Sequence, residues 1–239
     1  MIERLLPEGV VAVEARSDDP RNELFAQERQ AVARAVDKRR SEFASGRACA
    51  RAALARLGIA PAAIPSGERG EPLWPRGIVG SITHCEGYRA CAVARSEAIV
   101  TVGIDAEPHA GLPEGLLEDI ARPEEIPQLR RLQAELPDVH WDRLLFSAKE
   151  SVYKAWFPLA RSWLGFEDAA VTFDSRAGTF AVRLLLVGPV VDGRRLSGFS
   201  GTWMVCEGML LTAIAMGHVS PVAKNPSWQP STAASLPAR

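Results

Sequence analysis

The segment DRLLFSAKESVYKAWF, residues 142–157, constrains this chain more than any other. At helical spacing, Leu145, Val152 and Trp156 form one apolar stripe, and Phe146, Tyr153 and Phe157 form a second. A helix apolar on two sides belongs at the centre of a fold, with protein packed on both. The same helix, expected over about Trp141–Trp156, carries Lys149, Glu150 and Lys154. Glu150 and Lys154 are four apart and can pair. On a surface helix such a pair means little. Flanked by Phe146, Tyr153 and Phe157, the charges are costly to bury and point to a site.

A second stretch supplies more carboxylates. VGIDAEP, residues 102–108, follows the apolar run Ile99–Val102 and so begins as a strand. Residues two apart on a strand share a face, which sets Asp105 beside Glu107 where the apolar run ends. Two like charges that close repel unless water, a base or a cation separates them. Hard oxygen ligands at this spacing suit magnesium, which is held by few carboxylates plus substrate phosphates. With Glu150 as a third carboxylate and Lys149 and Lys154 nearby, the set is that of a cation-plus-phosphate site. A solvated strand end is the bland alternative.

The anion binder is expected on the first long helix, Lys38 to Leu57, with Gly58 as its stop. From Arg34 to Arg56 seven basic residues stand against two acids, in a chain whose net charge is −1. That balance argues against a surface built wholly for nucleic acid and allows a local basic site. Arg47 lies on the stripe of Phe43, Ala50 and Leu54. Its stem either snorkels over the core edge or turns inward to grip a phosphate. His84 ends the strand-like IVGSITH, after Gly80, Ser81 and Thr83, small residues that let a ligand approach the backbone. The cysteines 49, 85, 91 and 206 form no CxxC pair, so zinc and thioredoxin chemistry are discounted and a reduced, cytoplasmic chain is expected. No apolar run approaches the ~18 residues of a membrane span.

Along the chain, residues 1–33 carry no motif, and a Pro- and Gly-rich loop runs from Pro61 to Gly77. A hairpin is expected from Arg89–Ala94 and Ile99–Asp105. Residues 108–140, with five prolines, form a polar excursion outside the core, with a short helix or two. After the central helix come strands at Ala169–Phe173 and Thr179–Val187. A second hairpin, Gly201–Cys206 with Met209–Met216, turns at Glu207-Gly208. From His218 the tail is expected to be disordered. Helix, strands, hairpin, then helix, strands, hairpin again: the order suggests two similar α+β halves joined near Gly103–Pro108, with the acidic pair at the seam.

Taken together, Gly-Ile-Asp-x-Glu and, some forty residues on, Lys-Glu-Ser-x-x-Lys resemble the Sfp-type 4'-phosphopantetheinyl transferases. GSITHCEGYRACAVA, VGIDAEP, HWDRLLFSAKESVYKAWFPL, KRRSEFASGRACARAAL and GERGEPLWP are similar, in order, to the actinobacterial branch of that family. The resemblance covers about Lys38 to Ala215. It implies an α+β fold of two halves, 1–104 and 105–217, related by a pseudo-twofold, with coenzyme A in the cleft between them. It implies magnesium, or manganese, on the coenzyme's pyrophosphate. A carrier-protein serine attacks the β-phosphate, and adenosine 3',5'-bisphosphate leaves. By position, Asp105, Glu107 and Glu150 match the metal-site acids, and Glu150 also the general base. Lys154 matches the lysine beside the pyrophosphate, and His84 the histidine at the coenzyme phosphates. Arg39 and Arg47 match the grip on the 3'-phosphate end. Arg69, Glu71 and Trp74 fall in a segment close to the coenzyme, and Lys149 is counted with the coenzyme-binding set. Ser66 departs from the pattern, standing where relatives can offer a lysine. The implied partners are acyl and peptidyl carrier domains of polyketide or nonribosomal peptide synthesis, with Arg130 and Arg131 as docking candidates. A monomer with neither membrane nor nucleic-acid partners is expected. Two rivals use the same residues: a magnesium-dependent phosphodiesterase, and a module that binds coenzyme A without chemistry.

Overall fold

The computed structural model describes residues 1–218; the tail expected to be disordered lies, from residue 219 on, outside the described residues. The strands are β1 (Val10–Ala15), β2 (Ile78–Cys85), β3 (Tyr88–Arg95), β4 (Ile99–Pro108), β5 (Ala169–Asp174), β6 (Thr179–Leu184), β7 (Val190–Val191), β8 (Arg194–Arg195), β9 (Gly198–Cys206) and β10 (Met209–Gly217). The helices are α1 (Ala26–Arg29), α2 (Asp37–Arg56), α3 (Leu116–Ile120), α4 (Ile126–Glu135) and α5 (Trp141–Ala160). The fold is mixed α and β, and the described residues form three sheets: β1-β3-β2, β4-β10-β9-β6-β5, and the two-stranded ribbon β7-β8.

Both long helices fall where the 3.6-residue period placed them. α2 lays Cys49, Ala50, Ala53 and Leu54 on Cys91 and Val93 of β3. α5 buries Leu144, Leu145, Ala148, Val152, Ala155 and Trp156 against the five-stranded sheet and α4. Gly103 of β4 makes the approach of α5 possible: a Cβ there would meet Ser151 O at 2.0 Å. A third apolar cluster lies between the two larger sheets. It joins Ala90, Ala92 and Ala94 of β3 to Ile99, Val102, Ile104 and Ala106 of β4 and to Leu211 and Ala213 of β10.

The expected hairpin of Arg89–Ala94 with Ile99–Asp105 is not formed. β3 pairs with β2 on one side and β1 on the other. The tight turn Glu86-Gly87, with Gly87 at φ +71°, makes β2–β3 the hairpin instead. β4 crosses to the other sheet and pairs antiparallel with β10, Asp105 opposite Thr212. Six consecutive residues of β4, Thr101–Ala106, are buried, and only a position covered on both faces accommodates that. β1 lies in the stretch that showed no motif. The excursion 108–140 is also more than a polar overhang: Ile120, Leu129 and Leu132 are buried in the α5 cluster. The β9–β10 hairpin turns where expected, with Glu207 and Gly208 both at positive φ.

β2 and β4 are the facing edges of the two sheets, and no backbone ladder joins them. Side chains do: Ile104 N–H donates to Ser81 Oγ and Ala106 N–H to Thr83 Oγ1, each at 3.1 Å. The small residues of IVGSITH thus admit a neighbouring strand. At the far edge of the large sheet, α4 covers β5. Val171 N–H donates to Glu125, and Gln128 both donates to Val171 O and accepts from Phe173 N–H. These side chains satisfy the groups that a bare edge strand would leave open. All four cysteines are free thiols. Among the described residues, no helix is long and apolar enough to cross a membrane.

Candidate active site

β4 alternates its faces. Val102, Ile104 and Ala106 turn to the cluster between the sheets. Thr101, Gly103 and Asp105 turn to α5: Thr101 Oγ1 donates to Ala155 O at 2.8 Å, and Lys154 Nζ donates to Asp105 Oδ1 at 2.6 Å. Glu107 follows on the same face, as spacing required, and meets Arg143 of α5 at 2.9 Å. Asp105 is buried and also accepts from Thr83 Oγ1 at 3.2 Å, all on Oδ1. Its second oxygen, Oδ2, is buried with no hydrogen-bond partner. Leaving a carboxylate oxygen unmatched in the interior is costly.

Asp105 also lines a cavity of about 320 Å³. Asp105, Glu107, Glu150 and Lys154 line one side, and Arg39, Glu42, Phe43, Arg47 and His84 the other. Burial, then the neighbouring Asp105, pushes the Glu107 carboxyl up to about 7, against the pull of Arg143. Glu150 is raised by burial and by Asp105, with Lys154 opposing. Across the cavity, Arg39 and His84 are in direct contact. Burial, with the charges of Arg39 and Lys154, pulls His84 down to about 4, so its ring is neutral at physiological pH. A neutral imidazole beside a guanidinium, facing three acids, is an arrangement that an anion and a cation together would satisfy.

Arg47 has turned inward. It is buried, stacked 4.2 Å from the Phe43 ring centroid, and donates to Ile64 O at 2.7 Å and Ser66 Oγ at 3.1 Å. Burial pulls its pKa down to about 10, which leaves it charged. Arg69, Glu71 and Trp74 stand apart from these residues and line an adjoining cavity of about 470 Å³, with Glu150, Lys154 and Tyr153. Trp74 is fixed by Nε1–H to Gly80 O at 3.0 Å, and Glu71 accepts from Arg69 N–H at 3.0 Å. Glu150 and Lys154 stand on the wall common to both cavities.

Lys149 is not brought to either cavity. Its ammonium is buried and donates to Ile120 O at 2.9 Å and Phe166 O at 2.8 Å, with Glu125 at 2.8 Å. It ties α5 to α3, α4 and the turn before β5. Among the described residues, no three His, Cys, Asp or Glu side chains are grouped as metal ligands. Lys154 and Arg143 hold Asp105 and Glu107 instead. Sequence reasoning passed over Arg143, although it lies seven residues before Glu150, two turns back on the same stripe. It also passed over Arg89, which grips Asp18 through two nitrogens at 3.0 and 2.9 Å and faces Glu42 at 3.6 Å behind His84.

Comparison with known proteins bears on this arrangement. The family model of the 4'-phosphopantetheinyl transferase N-terminal domain matches residues 27–94. That of the 4'-phosphopantetheinyl transferase superfamily matches residues 101–191. The chain is 54 % identical to 4'-phosphopantetheinyl transferase Svp of Streptomyces mobaraensis, over 90 % of this chain and 89 % of that protein. It is 49 % identical to 4'-phosphopantetheinyl transferase Npt of Nocardia iowensis, over 90 % and 99 %. To 4'-phosphopantetheinyl transferase PptT of Mycobacterium tuberculosis it is 47 % identical, over 87 % and 93 %.

Proposed function

Because the chain belongs to the 4'-phosphopantetheinyl transferase family, and so moves the 4'-phosphopantetheine arm of coenzyme A to a carrier-protein serine, we propose that Asp105, Glu107 and Glu150 hold a divalent cation for that transfer. The observation that carries this reading is the buried, unpartnered Oδ2 of Asp105, a residue that lines one cavity with two further acids. The donor set is all hard oxygen, which suits magnesium or manganese. Glu107 and Glu150 are both pushed toward the protonated form, and a cation would reverse that push. When bound, the ion neutralises the coenzyme's pyrophosphate.

The chain's own residues do the rest. Arg39 and His84 donate to coenzyme phosphate oxygens. The ammonium of Lys154, a quarter exposed, is placed by Asp105 to take the pyrophosphate charge as it shifts to the leaving group. Arg47 keeps the Phe43 wall and the loop at Ser66 in place and adds positive charge at the 3'-phosphate end. Glu150, on the wall common to both cavities, accepts the proton of the attacking serine. The serine oxygen bonds to the β-phosphorus, the bond to the bridging oxygen breaks, and adenosine 3',5'-bisphosphate leaves. Arg69, Glu71 and Trp74 form the far wall of the adjoining cavity along the coenzyme.

In this reading the chain has two halves, 1–104 for the coenzyme phosphates and 105–217 for metal and catalysis, related by a pseudo-twofold, with the ligand in the cleft between them. The support is a 20-residue helix on a sheet in each half and a cavity lined from both. Acyl and peptidyl carrier domains of polyketide and nonribosomal peptide synthesis are the partners, and the enzyme acts as a cytoplasmic monomer. The exposed Arg130 and Arg131 of α4 meet the carrier's acidic face. Intact-mass spectrometry of an apo carrier protein, mixed with this protein, coenzyme A and magnesium, tests the reading. The expected result is a gain of one phosphopantetheine arm, lost on chelation and in Asp105→Ala. Full transfer by a well-folded Asp105→Ala variant overturns the metal assignment.

A further inference from the structure

Arg143 engages three nitrogens at once. Its side chain is 18 % exposed. One terminal nitrogen donates to Glu107 Oε2 at 2.9 Å, the other to Gly111 O at 2.8 Å, and Nε to Ala110 O at 3.3 Å. The preceding residue extends the same clamp: Asp142 Oδ2 accepts from Leu112 N–H at 2.8 Å, and its Oδ1 from Arg143 N–H at 2.8 Å. The start of α5 therefore grips the turn that leaves β4, and Glu107 is held in the same grip.

We propose that Arg143 is a positioning residue for the cation site: its fork fixes Glu107 Oε2 and the 110–111 turn together, so that Glu107 Oε1 is presented to the cavity in step with Asp105. The inference rests on the reading of Asp105, Glu107 and Glu150 as the cation's ligands. Glu107 needs such a device. It stands one residue before the strand ends at Pro108, and a carboxylate there has free rotamers. Three acceptors diverge around the guanidinium, one carboxylate oxygen and two backbone carbonyls. A planar fork offers a separate N–H to each, and a lysine offers one point charge. Arg143 is absent from the lining of the 320 Å³ cavity, so it acts through Glu107. An ion pair that merely decorated the surface would leave cation binding untouched.

The test is manganese binding, followed by electron paramagnetic resonance on the full chain without coenzyme A or carrier. Wild type, Asp105→Asn, Arg143→Met and Arg143→Lys are compared. The expected result is about a tenfold or greater loss of manganese affinity in Arg143→Met, as for partners of ligating carboxylates generally, with Arg143→Lys between it and wild type. Metal-free binding of coenzyme A should be unchanged in Arg143→Met, which separates positioning from general damage. Wild-type or tighter manganese binding in Arg143→Met overturns the proposal. If the Met variant does not fold, Arg143→Lys, which keeps the charge and loses the fork, decides by the same criterion. When Asp105→Asn weakens manganese and the Arg143 variants do not, this inference alone fails. When Asp105→Asn has no effect either, the reading of the acids as ligands fails and takes the inference with it.

Discussion

Lys149 and Lys154 belong to one helix and one residue type, and their surroundings give them different work. Lys154 reaches the cavity wall and Asp105, while Lys149 is locked to Glu125 and two carbonyls. Five residues turn the helix by about 140°, and a one-dimensional pattern does not say which neighbour waits at each angle. The spacing of Asp105, Glu107, Glu150 and Lys154 was legible because periods 2 and 3.6 are local. Arg143 was legible only in hindsight, as the residue seven before Glu150. The acids also predict a pH dependence. Glu107 sits at about 7 in the fold against an ordinary 4.5, so the folded chain keeps a proton that the unfolded chain releases. That raised value costs stability as pH rises from 4.5 to 7, about 3 kcal/mol in all. His84 acts in the other sense: lowered from 6.5 to about 4, it costs stability as pH falls through that range. Its ring is more than a third exposed, so solvent weakens its share. A cation that displaces the Glu107 proton binds better where the proton is already gone. Saturating magnesium should therefore raise the melting midpoint more at pH 8 than at pH 6. An equal rise at both would count against Glu107 as a ligand.

At the scale of elements, what the sequence revealed depended on how far away each partner lay. The β9–β10 hairpin closes over Glu207-Gly208 and was visible in two residues. The sequence pattern pairs β4 with β3, its neighbour in sequence, whereas its partner β10 lies about a hundred residues on. β1 went unseen because its six residues take their meaning from β3, to which they pair. α4 shows the same limit. It falls in the polar excursion expected outside the core, yet Glu125 and Gln128 are the partners of the β5 edge. Gln128→Ala should leave Phe173 N–H and Val171 O open and cost about 1–2 kcal/mol. Urea unfolding would measure the loss, and faster hydrogen exchange at Phe173 would locate it. Unchanged exchange there would show that the amide is not what protects the edge.

For the molecule as a whole, the seam is the feature on which the site depends. Two hydroxyls join the facing edges, and they are not equivalent. Ser81 serves Ile104 N–H alone, and Thr83 serves Ala106 N–H and also donates to Asp105. Ser81→Ala and Thr83→Val should each strand a buried amide, at about 1–3 kcal/mol, and lower the melting midpoint by several degrees. Turnover should fall further in the Thr83 variant, since Asp105 loses its orienting bond as well. Equal loss in both would mean that the seam, and not the aspartate's orientation, sets the rate.

The pairing of Asp105 with Thr212 has a consequence in time. A ribosome releases the chain from its N-terminus, and the small sheet has all its strands by Arg95. β4 emerges next and must wait for about a hundred further residues before β10 arrives to hold it. Until then the strand that bears Asp105 and Glu107 has no ladder of its own. Activity thus waits on β10: a nascent chain stopped short of it would carry every acid and every base of the site without the ladder that holds β4 in register.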